Sequence, residues 1–469
     1  MRRIVLTLAR TPLGMIGGLL ATVSGVLILA LAVLGGLGFR GGPYLGIFAF
    51  LVLPGFFVLG LLLIPAGAWW ERRRTARAAE TGEAPGVLPI VDLNDLHTRQ
   101  VVLVVAALTA VNLAVVALAT YKGVQVMDSP SFCGSCHSVM DPEYTTYQRS
   151  PHARVSCVEC HIGPGAPWFV KSKLSGAWQL VSVNFNLYPK PIPVPVHDLR
   201  PARDTCEHCH WPAKFVGSRL RVLTSHGDDS ANAASKTVLL LHVGGGETPR
   251  AAGIHWHVAS GVEVRYLADS KRQKIGTVEL TLADGTRRTF TTKDGPSAPG
   301  PDATWRTMDC IDCHNRPSHI YRLPEREVDD AINAGRIDAT LPFVRREGVR
   351  LLKVDYPSHA AAREGIRKGL AEFYAKSQPA DLPARKDAVE AAAVALGDIF
   401  TANVWPSMNI RWGTYPSFLG HDAAPGCFRC HDETHATADG KTISQDCGLC
   451  HSLLAVAEKS PAILKQLNP

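Results

Sequence analysis

The chain has 469 residues, enough for two or three domains, of which 46% are hydrophobic and 19% are charged. Its formal net charge is +7, but the basic residues are dispersed. They are accompanied by neither a glycine-rich phosphate-binding motif nor a basic stripe with interleaved aromatic residues, which excludes nucleic acid as a partner.

The hydrophobic excess lies at the beginning of the chain. No charged residue interrupts three apolar runs, and about 20 apolar residues suffice for a helix to span a bilayer. The sequence therefore predicts a membrane anchor over residues 1–121, with three transmembrane helices at about 11–39, 41–70 and 101–121. A cleaved signal peptide is the alternative for the first run, but its length and the second run directly after it favour a retained anchor.

Arginine residues predict the orientation of this anchor. They precede the first run and follow the second, whereas only Arg40 lies between the two. Positively charged flanks stay in the cytoplasm, which predicts a cytoplasmic loop over residues 71–100. Residues 122 onward are then periplasmic, and the predicted location is the bacterial inner (cytoplasmic) membrane.

All twelve cysteines lie in six Cys-x-x-Cys-His motifs. Two thiols at this spacing add to the vinyl groups of one haem, and the histidine that follows ligates the iron. A zinc site or a redox dithiol is the alternative, but zinc does not require a histidine after every second cysteine. The sequence predicts six covalently bound c-type haems, held by Cys133, Cys136 and His137; Cys157, Cys160 and His161; Cys206, Cys209 and His210; Cys310, Cys313 and His314; Cys427, Cys430 and His431; and Cys447, Cys450 and His451.

The segments between these motifs predict a mainly α-helical and irregular haem domain. Alternating patterns such as Val262-Glu-Val-Arg-Tyr-Leu indicate a small antiparallel β insertion over about 212–309. From residue 321 to 469 we expect a helical extension that carries the last two haems, because Ala, Glu, Lys, Arg and Leu recur at helical spacing from about 325 to 402.

Enough imidazole side chains remain outside the motifs to make most of the six irons six-coordinate, which favours electron transfer over substrate binding. His255 and His257 alternate along a possible strand, so one of them is expected to face a haem while the other faces away. Met140 follows the first motif closely and is either a thioether ligand or a packing residue. The candidate distal ligands are Met140, His152, His255, His257, His319, His359, His421 and His435; His197, His226 and His242 have less local support.

Several of these segments together resemble the NapC/NirT family of membrane-anchored multihaem quinol dehydrogenases. They are Phe132-Cys-Gly-Ser-Cys-His-Ser-Val-Met, Ser150-Pro-His, Cys157-Val-Glu-Cys-His and Cys310-Ile-Asp-Cys-His with a histidine five residues later. The resemblance implies a tetrahaem module over 122–320, less the β insertion, that takes electrons from quinol. It also implies that His152 and His319 are distal ligands and that Met140 belongs to the first haem.

The chain departs from the family pattern in its two additional helices and its two additional haems. Its methionine stands three residues after His137, where the family usually has two. A carboxylate usual after the second motif is replaced within Ser175-Gly-Ala-Trp-Gln. In these additions the chain is similar to the inner-membrane cytochromes of metal-respiring bacteria.

The leading hypothesis is oxidation of quinol, with menaquinol as the expected substrate and a periplasmic cytochrome or reductase as the acceptor. Quinol oxidation releases protons as well as electrons. Lys171 and Lys173 are the candidate quinol-side residues, with Asp141 or Glu143 as the carboxylate; the lysines alternatively only reach the headgroups. Two other hypotheses remain open: an electron-wiring subunit of a larger respiratory complex, and a terminal periplasmic reductase of a small oxyanion.

Overall fold

The computed structural model describes residues 11–36, 52–80, 92–135, 137–163, 165–196, 200–247, 250–378, 380, 382–421 and 424–467. The chain divides into two compact units, Met1–Cys136 and His137–Pro469. Each unit is described by itself.

The first unit is helical. Two of its helices, α1 and α2, are long and apolar enough to cross a membrane, over Pro12–Leu31 and Leu53–Glu71. The predicted third span falls within α3, and its crossing of a membrane stays a prediction. The described helices are α1 (Pro12–Gly36), α2 (Leu53–Glu80), α3 (Leu96–Met127) and α4 (Pro130–Gly134).

The structure corrects the predicted start of the loop after the second span. Helix α2 continues to Glu80, so residues 71–80 are helical rather than part of a loop. The reason is local, because Glu, Arg and Ala dominate this segment and all three favour helix. Residues 37–51, which contain the predicted start of the second span, lie outside the described residues.

Helices α1 and α2 pack closely through glycine. A Cβ atom on Gly60 of α2 would lie 2.6 Å from the Gly17 carbonyl oxygen and the Ala21 nitrogen of α1. Such backbone approach is typical of small-residue contacts between helices in a bilayer. These glycines therefore hold the two candidate spans together as a hairpin.

The second unit begins with short helices around the second, third and fourth motifs. Cys157–His161 and Cys310–Cys313 each form one helical turn, and only α5 and α7 are longer than five residues in this group. The helices are α5 (His137–Gln148), α6 (Cys157–His161), α7 (Ala166–Asn184), α8 (Ala202–Cys206) and α9 (Cys310–Cys313).

Four helices after residue 321 form the main hydrophobic core of this unit. Ile366 and Leu370 are fully buried on one of them, and Leu352 and Leu396 are fully buried on its neighbours. Apolar residues at helical spacing turn one face of each helix toward this core. The helices are α10 (Pro324–Asn333), α11 (Val344–Leu352), α12 (His359–Ser377) and α13 (Leu382–Thr401).

The β structure differs from the single small insertion that the sequence predicts. Two sheets are present, with strand orders β1-β2-β7 and β5-β4-β3-β6, and every pairing is antiparallel. Strand β7 comes from the C-terminal extension, so the first sheet is not made from residues 212–309 alone. The strands are β1 (Arg219–His226), β2 (Ala234–Leu241), β3 (Val262–Asp269), β4 (Ile275–Leu282), β5 (Arg287–Thr291), β6 (Ala303–Thr307) and β7 (His451–Glu458).

The extension is helical over the segment whose pattern predicted helices, about 325–402, but mostly not beyond it. After α13 it continues as 3₁₀ turns and loops, then β7 and the short α14 (Ala462–Leu467). Pairing with β2 explains β7, because its apolar residues lie beside apolar residues of β2, as in Leu239 with Leu453.

Candidate functional site

Four of the six cysteine motifs lie on single helical turns. The second and fourth motifs form α6 and α9, and the fifth and sixth lie on the 3₁₀ turns Gly426–Arg429 and Cys447–Leu449. In both helix types, residues three apart project from the same side. The two thiols of a motif therefore face one side, as attachment to one planar group requires. The first motif is only partly described, because Cys136 and the His137 side chain are outside the described residues.

The histidines of the other five motifs each lie beside a second histidine. The ring centroids are 6.2 Å apart for His161 and His319, 6.1 Å for His210 and His152, 6.4 Å for His314 and His255, 5.8 Å for His431 and His257, and 6.2 Å for His451 and His421.

These separations fit one metal ion between each pair of rings. Two imidazole nitrogens at about 2.0–2.1 Å from an ion, each about 1.1 Å from its ring centroid, place the centroids about 6.3 Å apart. Within the described ranges, no group of three or more His, Cys, Asp or Glu side chains converges as a separate metal site would require. The residues present thus fit an iron with two axial imidazoles in five places.

Hydrogen bonds leave the same nitrogen available on five of these ten rings. Nδ1 donates to a backbone carbonyl oxygen in His152 (Pro317, 3.2 Å), His255 (Val243, 2.9 Å), His257 (Ile254, 2.8 Å), His319 (Glu143, 2.9 Å) and His431 (Ser444, 2.7 Å). Such bonds fix the tautomer and the orientation of a metal-ligating histidine. They leave Nε2 as the nitrogen for a metal.

Burial keeps several of these rings neutral. It lowers the pKa of His161, His257, His314 and His319, because the charged form loses its hydration. A histidine must be neutral to donate a lone pair to a metal. The environment of these rings therefore suits ligation at neutral pH.

His255 and His257 differ from the sequence-based prediction. They lie in the 3₁₀ turn Ile254–Val258 rather than in a strand, and each is beside a different motif histidine. Residues two apart in a 3₁₀ turn point about 120° apart, so one short turn presents both rings in different directions. Neither ring faces away as the strand pattern suggested.

Two of the candidate distal ligands have other bonds. His435 is buried, with Nδ1 donating to the Asp432 carboxylate at 3.0 Å and Nε2 near the Ile275 carbonyl oxygen at 3.1 Å, so neither nitrogen is left for a metal. His359 donates from Nε2 to the Val404 carbonyl oxygen at 2.6 Å and packs against Trp405. These two are therefore not placed in the proposed ligand set.

The structure also shows the surroundings of two of the three histidines that have less local support. His226 uses both nitrogens, with Asn232 and Asn333, and His242 lies 3.1 Å from the Ser452 hydroxyl. His197 lies outside the described residues. Met140 is half-buried on α5, the helix that begins at His137.

The quinol-side candidates lie on α5 and α7. Lys171 is exposed with its amine 5.2 Å from the Trp168 ring centroid, and Lys173 is half-buried with its amine 4.8 Å from that of Phe169. Asp141 is exposed on α5. The alternative carboxylate, Glu143, is instead turned toward the fourth motif.

Glu143 is the centre of a polar cluster that the sequence did not indicate. Its Oε1 accepts from Arg316 Nη2 at 3.1 Å and from the Tyr321 hydroxyl at 3.2 Å, while Oε2 lies 3.1 Å from Nδ1 of His319. The Arg316 guanidinium stacks 4.3 Å from the Tyr415 ring centroid. Only tertiary contact reveals this cluster, because Glu143 is separated from its partners by more than 170 residues.

Consecutive motifs are neighbours in space. Cys160 of the second motif lies near Cys209 of the third, which adds to the effect of burial in raising the pKa of Cys160. A thiol hydrogen bond joins Cys206 of the third motif to Cys310 of the fourth and raises the pKa of Cys206. Cys313 of the fourth motif lies near Cys427 of the fifth, and burial together with this neighbour raises the pKa of Cys313 to about 12. Cys450 of the sixth motif also lies near Cys427, and burial raises its pKa as well. The second to sixth motifs thus follow one another in sequence order.

Charged side chains join the fourth and fifth motifs. Arg429, inside the fifth motif, donates to the carbonyl oxygens of Asp312 at 2.5 Å and Arg272 at 2.7 Å. The buried Asp312 carboxylate, inside the fourth motif, accepts from Arg306 Nε at 2.7 Å and from the Tyr266 hydroxyl. The sheet that contains β3 and β6 thereby braces both motifs.

Arg200 offers a second test of the fit to haem. Its Nε and Nη1 atoms are buried without a hydrogen-bond partner, and its guanidinium lies where a Cβ atom on Gly163 would be. Its Nη2 donates to the Asp204 carbonyl oxygen at 3.4 Å, but two buried N–H groups without an acceptor are costly. The Arg200 side chain therefore fits an acidic group beside the second and third motifs. The propionate carboxylates of haem are such groups.

Comparison with known proteins agrees with these motifs. The sequence profile of the NapC/NirT cytochrome c family, N-terminal region, matches residues 96–188. The cytochrome c-type protein ImcH of Geobacter sulfurreducens is 42% identical over 448 residues, 94% of this chain and 88% of that protein.

Shorter similarities fall on two NrfH proteins. The cytochrome c-type protein NrfH of Wolinella succinogenes is 33% identical over 84 residues, 17% of this chain and 47% of that protein. The cytochrome c nitrite reductase subunit NrfH of Nitratidesulfovibrio vulgaris is 48% identical over 50 residues, 10% of this chain and 31% of that protein. No solved structure matches the chain.

Proposed function

The chain belongs to the NapC/NirT cytochrome c family, and from this premise we propose that it is a membrane-anchored hexahaem quinol dehydrogenase. It oxidises menaquinol and passes the electrons along its haems to a periplasmic cytochrome or reductase. Membership of the family implies covalently bound c-type haem. The observation that carries the proposal is the set of five imidazole pairs at 5.8–6.4 Å.

We assign the axial ligands by these pairs. The motif histidines His161, His210, His314, His431 and His451 take His319, His152, His255, His257 and His421 as their respective distal partners. His137 is the proximal ligand of the first haem, and Met140 is the proposed distal ligand. Two strong ligands on each of five irons favour electron transfer over binding of a small oxyanion.

The order of the motifs supports a linear path for electrons. When bound, each haem supplies an iron that accepts and donates one electron at a time. Because the second to sixth motifs are neighbours in sequence order, the attachment residues place the bound groups in series. The Arg429 bonds to Asp312 and Arg272 keep the fourth and fifth attachment turns together. Electrons then leave near Cys447, which is exposed.

The quinol side is assigned to α5 and α7. Conversion of quinol to quinone releases two electrons and two protons, so a base is needed beside the electron acceptor. We assign Lys171 and Lys173 to attract the quinol oxygen as it loses its proton, and the exposed Asp141 to accept the two protons one after the other and pass each to solvent. The exposure of Lys171 and Asp141 supports access from outside this unit.

Anaerobic titration of the full-length, haem-loaded protein with a menaquinol analogue tests this function. Direct reduction of the haem absorbance is expected, together with slower reduction in a double variant, Lys171→Gln with Lys173→Gln. Lys190→Gln is the matched control, since Lys190 also stacks on an aromatic ring, that of Tyr188 at 5.1 Å. Equal rates in all proteins would remove the two lysines from the mechanism, and reduction only with an added subunit would favour the wiring role.

Two spectroscopic measurements complete the test. Mass spectrometry should find six covalent haems, and magnetic circular dichroism should find those of the second to sixth motifs low-spin. Replacing a proposed distal ligand, for example His421→Ala, should convert one haem to high-spin. Absorbance shifts with nitrite or cyanide in the unmodified protein would instead support a terminal reductase.

A further inference from the structure

Helix α7 exposes its apolar residues instead of burying them. Leu174 is 69% exposed, Trp178 is 62% exposed, and Phe185, directly after the helix, is 72% exposed. Among the described side chains of α7, the buried one is polar, Ser182. By contrast, α12 turns Ala362, Ile366, Leu370 and Tyr374 into the core.

The exposed residues form one continuous stripe. At about 100° per residue, the positions of Val170, Leu174, Trp178, Val181 and Phe185 fall within an arc of about 80°. The stripe runs about 22 Å along the helix axis at about 1.5 Å per residue. An apolar stripe nearly as wide as this normally packs against a protein core, but the described residues leave its side chains exposed.

Charge marks the two edges of this stripe. Lys171 falls about 20° beyond the Trp178 edge, and Lys173 falls about 60° beyond the Val170 edge, by the same helical geometry. No aspartate or glutamate occurs from residue 160 to 197, whereas Lys190 adds a third cation. Trp168 and Phe169 lie under the two lysine amines, and Tyr188 lies under that of Lys190.

We propose that α7 lies in the outer surface of the bilayer, with the Val170–Phe185 stripe among the lipid acyl chains and the lysine amines at the depth of the anionic headgroups, from which Lys171 and Lys173 also reach the oxygen of a bound quinol. Cations at both edges of an apolar face, together with aromatic residues, are the features of helices that lie in a membrane interface. Cations also flank the apolar face of helices that bind other proteins. Here, however, three cations occur without any aspartate or glutamate from residue 160 to 197, which favours an anionic lipid surface. This inference rests on the proposed membrane anchoring but not on quinol oxidation.

Photolabelling of the full-length, haem-loaded protein tests this placement. The protein is reconstituted into bilayers of phosphatidylethanolamine and phosphatidylglycerol that contain a lipid with a diazirine in its acyl chain. Adducts are then mapped by mass spectrometry. We expect labelling of residues 170–185 as well as of α1 and α2, and none of α12. Labelling of α1 and α2 without α7 would overturn the inference.

Matched variants test the stripe itself. Leu174→Asp should lower the labelling of α7 about tenfold, the factor that corresponds to 1.4 kcal/mol. Val394→Asp is the control, because Val394 is 50% exposed on another helix of the same unit, and it should leave α7 labelling unchanged. Equal labelling of α7 in Leu174→Asp and in the unmodified protein would contradict the proposal.

Two further measurements separate the possible outcomes. An unchanged haem spectrum shows that the Leu174→Asp variant is folded, and the labelling map of the unmodified protein stands even if the variant is not. Labelled α7 in a protein that a quinol analogue does not reduce would reject the quinol function and support this inference. Quinol reduction without α7 labelling would do the reverse.

Discussion

Replacement of Glu143 by glutamine tests how the protein controls the haem of the second motif. In the unmodified protein, Oε1 accepts from Arg316 and Tyr321, and Oε2 lies 3.1 Å from Nδ1 of His319 and 3.2 Å from Arg316 Nη2. The glutamine oxygen can replace Oε1, but its NH2 group then faces two donors. His319 keeps only its bond to the Glu143 carbonyl oxygen at 2.9 Å.

Two magnitudes follow from this geometry. The Arg316 side chain is only 8% exposed, so the loss of its counter-charge should cost about 3 kcal/mol of folding stability, the lower end for a broken buried pair because one acceptor remains. With His319 as the distal ligand that we propose, the carboxylate would also increase the electron donation of His319 to iron, which stabilises the oxidised form. Loss of such a partner commonly changes metal binding about 10- to 100-fold. At the lower end, the reduction potential of one haem should rise by about 59 mV.

Spectroelectrochemical titration measures the potentials, and urea unfolding measures the stability. Glu159→Gln is the control, because Glu159 is exposed inside the same motif and has the same charge. If His319→Ala produces a high-spin haem but Glu143→Gln leaves every potential unchanged, the reasoning about Glu143 is wrong. An equal rise in Glu159→Gln would show that charge alone, rather than the bond to His319, is responsible.

Three other perturbations have defined outcomes. In α2, Gly60→Leu should destabilise the α1–α2 hairpin by about 1–3 kcal/mol, because its Cβ atom would lie 2.6 Å from backbone atoms of α1. Thermal unfolding in detergent measures this, and Gly55→Leu is the control with little expected effect, because a Cβ atom on Gly55 has no neighbour within 4 Å. Burial raises the pKa of Glu325, but the hydrogen bond from Lys353, a backbone hydrogen bond and the charges of Lys353 and Arg345 together lower it below its usual value. The Glu325–Lys353 pair should therefore contribute up to about 1 kcal/mol at pH 7 and lose it below about pH 4. Glu325→Gln should unfold in urea equally with the unmodified protein at pH 3. Arg200→Gln should lower the potential of one haem, as removal of a cation disfavours the reduced form, and Arg200→Lys should restore part of it; unchanged redox titrations would mean that no haem carboxylate binds there.

Local chemistry made the haem attachment predictable. Each Cys-x-x-Cys-His motif is five consecutive residues, so its chemistry depends little on the rest of the fold. The apolar spans were predictable for a similar reason, since length and composition alone indicate whether a helix can cross a bilayer. The structure has two such helices among the residues it describes. Continuation of α2 to Glu80 was missed because positive charge was taken to mark a loop.

Which histidine accompanies which motif was decided by tertiary structure. His152 lies before the second motif but beside His210 of the third, and His319 lies beside His161, far back along the chain. An isolated histidine has no local pattern that reveals its partner, because the second ring is brought to it by chain folding. The same holds for Glu143 and for His435, whose bonds to Asp432 and Ile275 exclude it from the ligand set. Sequence thus determined the attachment motifs, and packing determined which histidine rings lie side by side.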